Sequence, residues 1–213
     1  LMNMSIISLD KEFVAGTYGR FPVELVSGKG CITTDSNGKE YIWCGDPAFW
    51  SGRNPNLFPV VGSLKNGKVM INGAEYEMGR HGFARNSEYA VVEQGEDYVV
   101  FELKENEDTL KHYPFAFKFQ VIHRLEELGF STEYNVINTG KEVLPYCVGA
   151  HTAFNCPMED GEKFEDYQLV FDEKEDAETL LLTSAGLFRN GDTEPMMKDG
   201  VLPLDHSVYA RLD

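Results

Sequence analysis

The chain contains 213 residues, with 19 lysines and arginines against 35 aspartates and glutamates, and its formal net charge is −16. Nucleic acids and anionic membrane surfaces are bound through lysine and arginine, so this acidic composition argues against both as partners. Aromatic residues make up 12% of the sequence, more than a disordered chain carries, and we therefore expect one folded domain with a substantial core.

Two Asn-Gly pairs predict tight β-hairpins in the first third of the chain, because both positions of such a turn adopt a positive φ. Asn37-Gly38 would join residues 31–34 to residues 41–43, and Asn72-Gly73 would join residues 69–71 to residues 74–78. Between these two hairpins, Asp46 would cap a short helical turn over residues 46–50.

Further strands are predicted where apolar and polar residues alternate. The alternation is strongest over residues 115–121, where three phenylalanines and a valine share one face, and it recurs in residues 99–103 and 133–137. Turn signals fall at Asn66-Gly67, Asn138-Thr139-Gly140 and Asn190-Gly191, and a loose helical turn is predicted after Pro157. Many short strands separated by turns predict an all-β protein, either an antiparallel sandwich or a barrel.

The location of the protein is predicted from what the sequence lacks. No run approaches the ~20 apolar residues of a membrane span, and the first residues lack the basic and apolar regions of a signal peptide. In a chain with its own large core, scattered cysteines without a CxxC pair predict reduced, mostly buried thiols and a cytoplasmic protein. The cysteines are Cys31, Cys44, Cys147 and Cys156.

Two of the five histidines lie in surroundings suited to a ligand. Gly82 follows His81 and would let backbone approach a ligand closely, and Arg85 offers a planar set of donors for hydroxyls or carboxylates. His151 is flanked by small residues that would leave room for a ligand. Either histidine could transfer a proton near neutral pH, although a single histidine is more often structural or exposed. No spacing of ligands predicts a metal site, and no nucleotide or acyl-transfer fingerprint is present.

Five motifs follow one another along the chain and together resemble the aldose 1-epimerase (galactose mutarotase) family, within it the LacX-like bacterial branch. They are Asn37-Gly-Lys-Glu-Tyr-Ile-Trp43, Gly45-Asp-Pro-Ala-Phe-Trp50, Pro55-Asn-Leu-Phe-Pro-Val-Val-Gly62, Arg80-His-Gly-Phe-Ala-Arg85 and Gly149-Ala-His-Thr-Ala-Phe-Asn155. The resemblance runs from about Glu24 to the end of the chain, whereas residues 1–23 carry no family signal. It implies a large antiparallel β-supersandwich with a sugar-binding cleft.

The resemblance also implies an isomerase that interconverts the α and β anomers of an aldohexose such as galactose or glucose, with no cofactor and no metal. By matching position, His151 would be the general acid and His81 would position the sugar. Asp205, by a looser match, would bind a sugar hydroxyl, with Arg85 and Asn155 as further cleft residues. Three aromatic residues could belong either to the core or to a sugar-stacking platform: Trp43, Trp50 and Phe83.

The chain departs from the family pattern at two places. Ser63 occupies the position of an arginine that contacts the sugar in relatives, and Arg53 is either its replacement or a surface arginine. The catalytic glutamate of the family has no counterpart, so we expect residues 1–213 to form a single domain that lacks C-terminal strands. The uncovered edge and apolar face would then need another chain or segment as a cover, and a homodimer is one such arrangement.

Two other functions stay open from the sequence. The first is a catalytically idle sugar-binding or sensing module on the same fold, which the two departures favour. The second is epimerisation of a hexose 6-phosphate. That activity requires a basic pocket, for which this acidic chain offers Arg53, Arg80 and Arg85.

Overall fold

A computed structural model describes most of the chain, with backbone alone for its earliest part. The described residues are 25–29, 32–35, 38–50, 52–126, 129–174 and 178–207, and side chains are described from residue 38 onward. Within these ranges the chain forms fourteen strands, a single-turn α-helix and three short 3₁₀ turns, and His206 and Ser207 are also helical. The prediction of an all-β protein is confirmed.

The largest sheet contains four antiparallel strands that pair in the order of the sequence. They are β6 (Ala90–Gln94), β7 (Tyr98–Lys104), β8 (Phe117–Glu126) and β9 (Gly129–Asn138). The register sets Phe101 opposite Val121 and Val121 opposite Tyr134, so the alternating residues predicted to share one face do so. Because side chains alternate across a sheet, this register gathers the aromatic residues of three strands on a single side.

The hydrophobic core lies on that aromatic face. Phe117 and Phe119 are 0% exposed and Val121 is 1% exposed, whereas Lys118 and Gln120 alternate with them and are partly exposed. Phe58, from a preceding segment of the chain, covers the face and stacks on Phe119 with ring centroids 4.6 Å apart. Further buried members of the core are Met78, Ala84, Leu103, Tyr113 and Phe115.

The remaining strands form two-stranded antiparallel pairs. The pairs are β1 (Leu25–Lys29) with β2 (Ile32–Asp35), β3 (Asn56–Leu57) with β10 (Gly149–Ala150), β4 (Lys68–Ile71) with β5 (Ala74–Glu77), β11 (Gln168–Val170) with β14 (Val201–Pro203), and β12 (Thr179–Leu182) with β13 (Phe188–Glu194). The helix α1 spans Glu107–Leu110, and the 3₁₀ turns span Lys65–Gly67, Ala84–Asn86 and Phe164–Asp166.

Most of the predicted turns are confirmed. Asn72 and Gly73 have φ values of 50° and 83° and join β4 to β5, with Ile71 opposite Ala74. Asp46 caps its predicted turn, since its Oδ1 accepts from the Ala48 amide at 2.9 Å. Gly140 donates to the Asn138 side chain where β9 ends.

One predicted turn is wrong as a strand connection, and another stays a prediction. The hairpin at Asn37-Gly38 stays a prediction because Asn37 lies outside the described residues; in the described part, β2 pairs with β1 and the Trp43 amide donates to the Ala153 carbonyl. Asn190-Gly191 lies inside β13, where the pairing with β12 is irregular, so its two positive φ values distort a strand rather than reverse the chain.

Predictions for helices and cysteines also need correction. Helix α1 was not predicted; Asn106 and Thr109 form a reciprocal capping box around its single turn, too short for a periodic signal. The turn predicted after Pro157 is present, since the Glu162 amide donates to the Glu159 carbonyl at 3.4 Å, and a 3₁₀ turn follows at Phe164–Asp166. Cys44 and Cys147 are exposed and unpaired, so the expectation of mostly buried thiols is wrong for the described cysteines.

Candidate active site

His81 lies in a tight loop that requires a glycine beside it. His81 has a φ of 66° and Gly82 a φ of 71°, so two consecutive residues adopt the left-handed conformation. A Cβ on Gly82 would lie 2.2 Å from the carbonyl oxygen of Phe58, which only glycine avoids. The same oxygen accepts from the amides of Phe83 and Ala84 at 3.1 and 3.2 Å. The loop is therefore fastened to a fully buried core residue.

Two hydrogen bonds to Gly62 fix the ring of His81. The His81 amide donates to the Gly62 carbonyl at 2.8 Å, and the Gly62 amide donates to His81 Nδ1 at 3.0 Å. A backbone N–H can only donate, so Nδ1 is an acceptor and the proton of the neutral ring lies on Nε2. His81 therefore presents an N–H donor on the side of the ring away from Gly62.

The surroundings of His81 favour its neutral form. Burial lowers the pKa of His81, and the positive charges of Arg80 and Arg85 and the neighbouring His151 lower it further. Protonation would also place an N–H on Nδ1, facing the donor of Gly62. Burial, charge and hydrogen bonding therefore act in the same direction.

His151 lies in an extended segment held on both sides by other parts of the chain. Strand β10 pairs with β3, with Gly149 opposite Leu57. Beyond β10, the Ala153 amide donates to the Arg53 carbonyl at 2.8 Å, and the Ala153 carbonyl accepts from Trp43 at 3.0 Å. His151 itself is exposed. The backbone beneath it is thus fixed while its ring faces the surface.

The two histidines that the sequence singled out are brought together. Their ring centroids lie 6.0 Å apart with the planes at 77°, an edge-to-face arrangement. His151 also contacts the indole of Trp50, whose ring centroid lies 5.3 Å from that of His151. The sequence did not decide whether Trp50 belongs to the core or to a sugar-stacking platform, and it did not predict the contact with His151. The hydrogen bond from Gly62 to His81 was not predicted either, because a backbone donor is not marked by any particular residue type.

Three arginines near the site make no ion pair within the described part of the chain, although the protein is acidic. Arg80 and Arg85 flank His81, and Arg85 lies in the 3₁₀ turn at Ala84–Asn86. The guanidinium of Arg53 instead packs over Gly45, whose added Cβ would lie 2.7 Å from its Cζ. Positive charge is therefore concentrated beside the histidines.

Arg80 lies near the position where the resemblance predicts an arginine. A Cβ on Gly186 would lie 3.5 Å from Ser63 Oγ and 3.8 Å from a terminal nitrogen of Arg80. The hydroxyl and the guanidinium thus approach the same glycine. The Arg80 guanidinium, carried by the His81 loop, therefore lies on the same side of Gly186 as the Ser63 hydroxyl.

The other predicted site residues are held by contacts of their own. The Asn155 side chain donates to the carbonyls of Glu40 and Ile42 at 3.1 and 3.3 Å and so fastens the segment beside His151. Asp205 follows β14, which pairs with β11, and its carboxylate accepts from the Ser207 amide at 2.7 Å. The strands next to Asp205 therefore differ from the elements that hold the two histidines.

The remaining aromatic candidates pack within the protein. Phe83 packs edge to face against Phe58 and belongs to the periphery of the core. Trp43 donates from its indole nitrogen to the Trp50 carbonyl at 2.9 Å and contacts Phe49. Phe83 therefore packs against the core next to His81, and Trp43 holds the backbone of Trp50.

Three further observations concern the described residues as a whole. They contain no helix whose length and hydropathy would let it cross a bilayer. They contain no cluster of three or more His, Cys, Asp or Glu side chains arranged to hold a metal ion. In the same residues, no carboxylate forms a hydrogen bond or ion pair with His81 or His151.

Comparison with known sequences gives consistent matches. The family model described as aldose 1-epimerase matches residues 31–193. Plasmid-encoded protein LacX of Lactococcus lactis subsp. lactis is 35% identical over 212 residues, covering 96% of this chain and 69% of that protein. The chromosomal LacX of the same organism is 34% identical with the same coverage. The alignment therefore includes part of residues 1–23, where we found no family signal.

Comparison with solved structures agrees. A galactose mutarotase related enzyme from Lactobacillus acidophilus is 31% identical with a TM-score of 0.77; the match covers 85% of this chain and 60% of that one. A galactose mutarotase-like protein from Lactobacillus casei is 31% identical with a TM-score of 0.74, covering 83% and 61% respectively. The chain thus spans about three fifths of the length of these solved relatives.

Proposed function

The chain belongs to the aldose 1-epimerase family, and we propose that its His81–His151 site interconverts the α and β anomers of an aldohexose of the galactose or glucose type. The observation that carries this proposal is the edge-to-face contact of the two imidazoles at 6.0 Å. One ring is exposed and able to exchange protons, and the other is fixed as a neutral donor. A neutral sugar also suits a protein with a net charge of −16, because it is recognised by hydrogen bonds rather than by charge.

The reaction needs two proton transfers at the anomeric centre. His151, as general acid, donates a proton to the ring oxygen while a base removes the proton of the anomeric hydroxyl. The bond between C1 and the ring oxygen then breaks and an aldehyde forms. Rotation about C1–C2 presents the other face of the aldehyde, and ring closure by the reverse transfers gives the second anomer.

His81 serves this reaction as a donor and not as its base. Its Nδ1 lone pair accepts from Gly62, and its Nε2 carries the proton, so neither nitrogen is free to accept one. Nε2–H can donate to a sugar oxygen and hold it next to His151. The base must therefore be another group, and a carboxylate on the opposite side of the sugar fits the chemistry.

A second candidate function is a sugar-binding module that does not catalyse. The observation in its favour is that, over the part of the chain with described side chains, no carboxylate contacts either imidazole. Without a base, the site would bind a sugar through His81 and the arginines but would leave its anomers unchanged.

A third candidate is an anionic sugar such as a hexose 6-phosphate. Arg80 and Arg85 carry no ion pair in the described structure and lie beside His81, which favours an anion at this end of the site. Guanidinium groups bind phosphate through paired charge-assisted hydrogen bonds. The neutral and the phosphorylated sugar use the same histidines and differ only in the use of these arginines.

Polarimetry on freshly dissolved α-galactose tests the catalytic proposal, with calorimetric titration of the same sugar measured in parallel. Acceleration over buffer, together with binding, supports the epimerase. Binding without acceleration supports the module, and neither would overturn both. Galactose 6-phosphate is the third arm: if it binds at least about tenfold more tightly than galactose, and Arg80→Ala removes that difference, the substrate is phosphorylated.

A further inference from the structure

Trp50 is the aromatic residue in direct contact with the general acid of the proposed reaction. Its indole centroid lies 5.3 Å from that of His151, with the ring planes tilted by 36°. We propose that Trp50 is a positioning residue that holds the His151 imidazole in the orientation from which it meets the sugar. This proposal rests on the proposed function, because it gives His151 a substrate to face.

Hydrogen bonds fix the backbone that carries Trp50. The Trp50 amide donates to the Asp46 carbonyl at 2.9 Å, which closes the turn over residues 46–50. The carboxylate of Asp46 caps the same turn at Ala48. The Trp50 carbonyl accepts from the indole of Trp43 at 2.9 Å. The backbone of Trp50 is therefore held at both its amide and its carbonyl.

The indole of Trp50 lies against Gly52, and this close approach is possible because Gly52 has no side chain. A Cβ on Gly52 would lie 2.4 Å from Cζ2 of Trp50 and 2.6 Å from Cε2. The indole can therefore approach the backbone of Gly52 and reach back toward His151. The indole is 38% exposed, so it lies at the edge of the site rather than in the core.

The loop that carries Trp50 is anchored to the segment that carries His151. Trp43, before the loop, donates to the Ala153 carbonyl, and Arg53, after the loop, accepts from the Ala153 amide. Both ends of the loop are therefore tied to one residue, two positions from His151. The indole and the imidazole are thus parts of one connected unit, and the loop cannot shift without disturbing that segment.

The position of the rings indicates what the contact does. The His151 ring contacts both His81 and Trp50, so two aromatic neighbours restrict the orientation of its plane. An exposed histidine without such contacts rotates among several rotamers. A general acid is effective only when its nitrogen points at the oxygen it protonates, and Trp50 supplies this restriction.

The test compares Trp50→Leu with Trp50→Phe, using Phe49→Leu as the matched control. Phe49 is in the same turn, is 82% exposed and contacts Trp43 instead of His151. The chain contains only two tryptophans, so the variants also change a well-resolved fluorescence signal. Urea denaturation of each variant first establishes that it is folded.

The first readout is the NMR signal of the His151 ring protons, assigned with a His151→Asn variant. The ring current of the tilted indole shifts these protons, so Trp50→Leu should move their signals, whereas Phe49→Leu should leave them in place. The second readout is the kinetics of mutarotation. We expect Trp50→Leu to lower kcat about tenfold with little change in KM, and Trp50→Phe to restore most of the loss.

Several outcomes would overturn the proposal. They are an unchanged His151 signal in Trp50→Leu, an equal loss of kcat in Phe49→Leu, or a rise in KM at constant kcat, which would make Trp50 a sugar platform only. If the wild-type chain shows no mutarotation, the proposed function fails independently. The readout is then the shift of the His151 signal that galactose induces. We expect this shift to be lost in Trp50→Leu and kept in Phe49→Leu. A shift that persists in Trp50→Leu would contradict the positioning role.

Discussion

The imidazole rings of His81 and His151 lie edge to face with centroids 6.0 Å apart, although they come from distant parts of the chain. Residues 57–62 explain why they meet. This segment pairs through Leu57 with Gly149 on one side. On the other side the Phe58 carbonyl accepts from the His81 loop, and Gly62 holds the His81 ring. One segment, buried at residues 57–59, therefore sets the positions of both histidines.

Gly82→Ala should destabilise the protein more than Gly73→Ala. Both glycines have positive φ, at 71° and 83°, so alanine is strained at either position by roughly 1–2 kcal/mol. Only Gly82 also faces an obstacle, since its Cβ would lie 2.2 Å from the Phe58 carbonyl oxygen, whereas Gly73 has nothing within 4 Å. Urea denaturation measures the difference. Equal losses in the two variants would mean that the His81 loop is not pressed against Phe58.

Phe58→Ala should lower the free energy of unfolding by about 3–5 kcal/mol. The side chain is 0% exposed and stacks on Phe119, so its removal leaves a cavity against the sheet. Phe188→Ala is the control, because Phe188 is 68% exposed, and we expect a change within about 1 kcal/mol. Similar losses for the two variants in denaturant titrations would contradict the placement of the core.

The protein should lose stability on acidification through the titration of His81. Burial and the charges of Arg80 and Arg85 lower the pKa of His81 in the folded state, while the unfolded value stays near ~6.5. Below that pH the unfolded chain binds a proton that the folded chain does not bind. The free energy of unfolding therefore decreases as the pH is lowered, until the pH drops below the pKa of the folded state. Burial lowers the pKa of His123 and adds to the effect in the same direction.

Denaturant titrations at about pH 7.5 and about pH 5 measure this loss of stability. His81→Asn is the variant to compare, because asparagine tolerates the positive φ at this position. The decline between the two pH values should be smaller in the variant than in the wild type. Identical declines would show that His81 is not kept neutral by the fold.

His151→Asn should reduce kcat for anomer interconversion by about 10²–10⁴-fold, because it removes the general acid and leaves a hydrogen-bonding side chain of similar size. KM should change little, since the sugar is held by other groups. His112→Asn is the control: His112 is exposed, and its Nδ1 lies 2.7 Å from the Glu77 carbonyl, away from the proposed chemistry. Retention of kcat in His151→Asn would remove His151 from the role of acid.

The sequence was sufficient to predict the central sheet and several of its turns. Residues 115–121 alternate so strongly that only one face can be buried, and Phe117 and Phe119 are indeed fully buried. Asn72-Gly73 forms its hairpin, and within the described residues β4 and β5 pair only with each other. The pairing of residues 41–43 with the segment after β10 is a long-range contact that a local pattern cannot reveal.

The site was predicted in part. The sequence identified His81 and His151, but it did not show that their rings touch or that Trp50 contacts His151. It left Arg53 as either the replacement for the arginine expected at Ser63 or a surface arginine, and it did not show that Arg80 and Ser63 approach the same glycine, Gly186. These relationships depend on how the loops fold over glycines, and such approaches become visible only in three dimensions.

NMR of the histidine rings during a titration with galactose is the most direct test of the central claim, that His81 and His151 together form the sugar site. We predict that the signals of these two rings shift in parallel and saturate at one sugar concentration. The signals of His112 and His123, which bond to Glu77 and Thr132, should stay constant. Constant His81 and His151 signals at saturating sugar, or shifts confined to the other histidines, would show that these two residues do not form the sugar site.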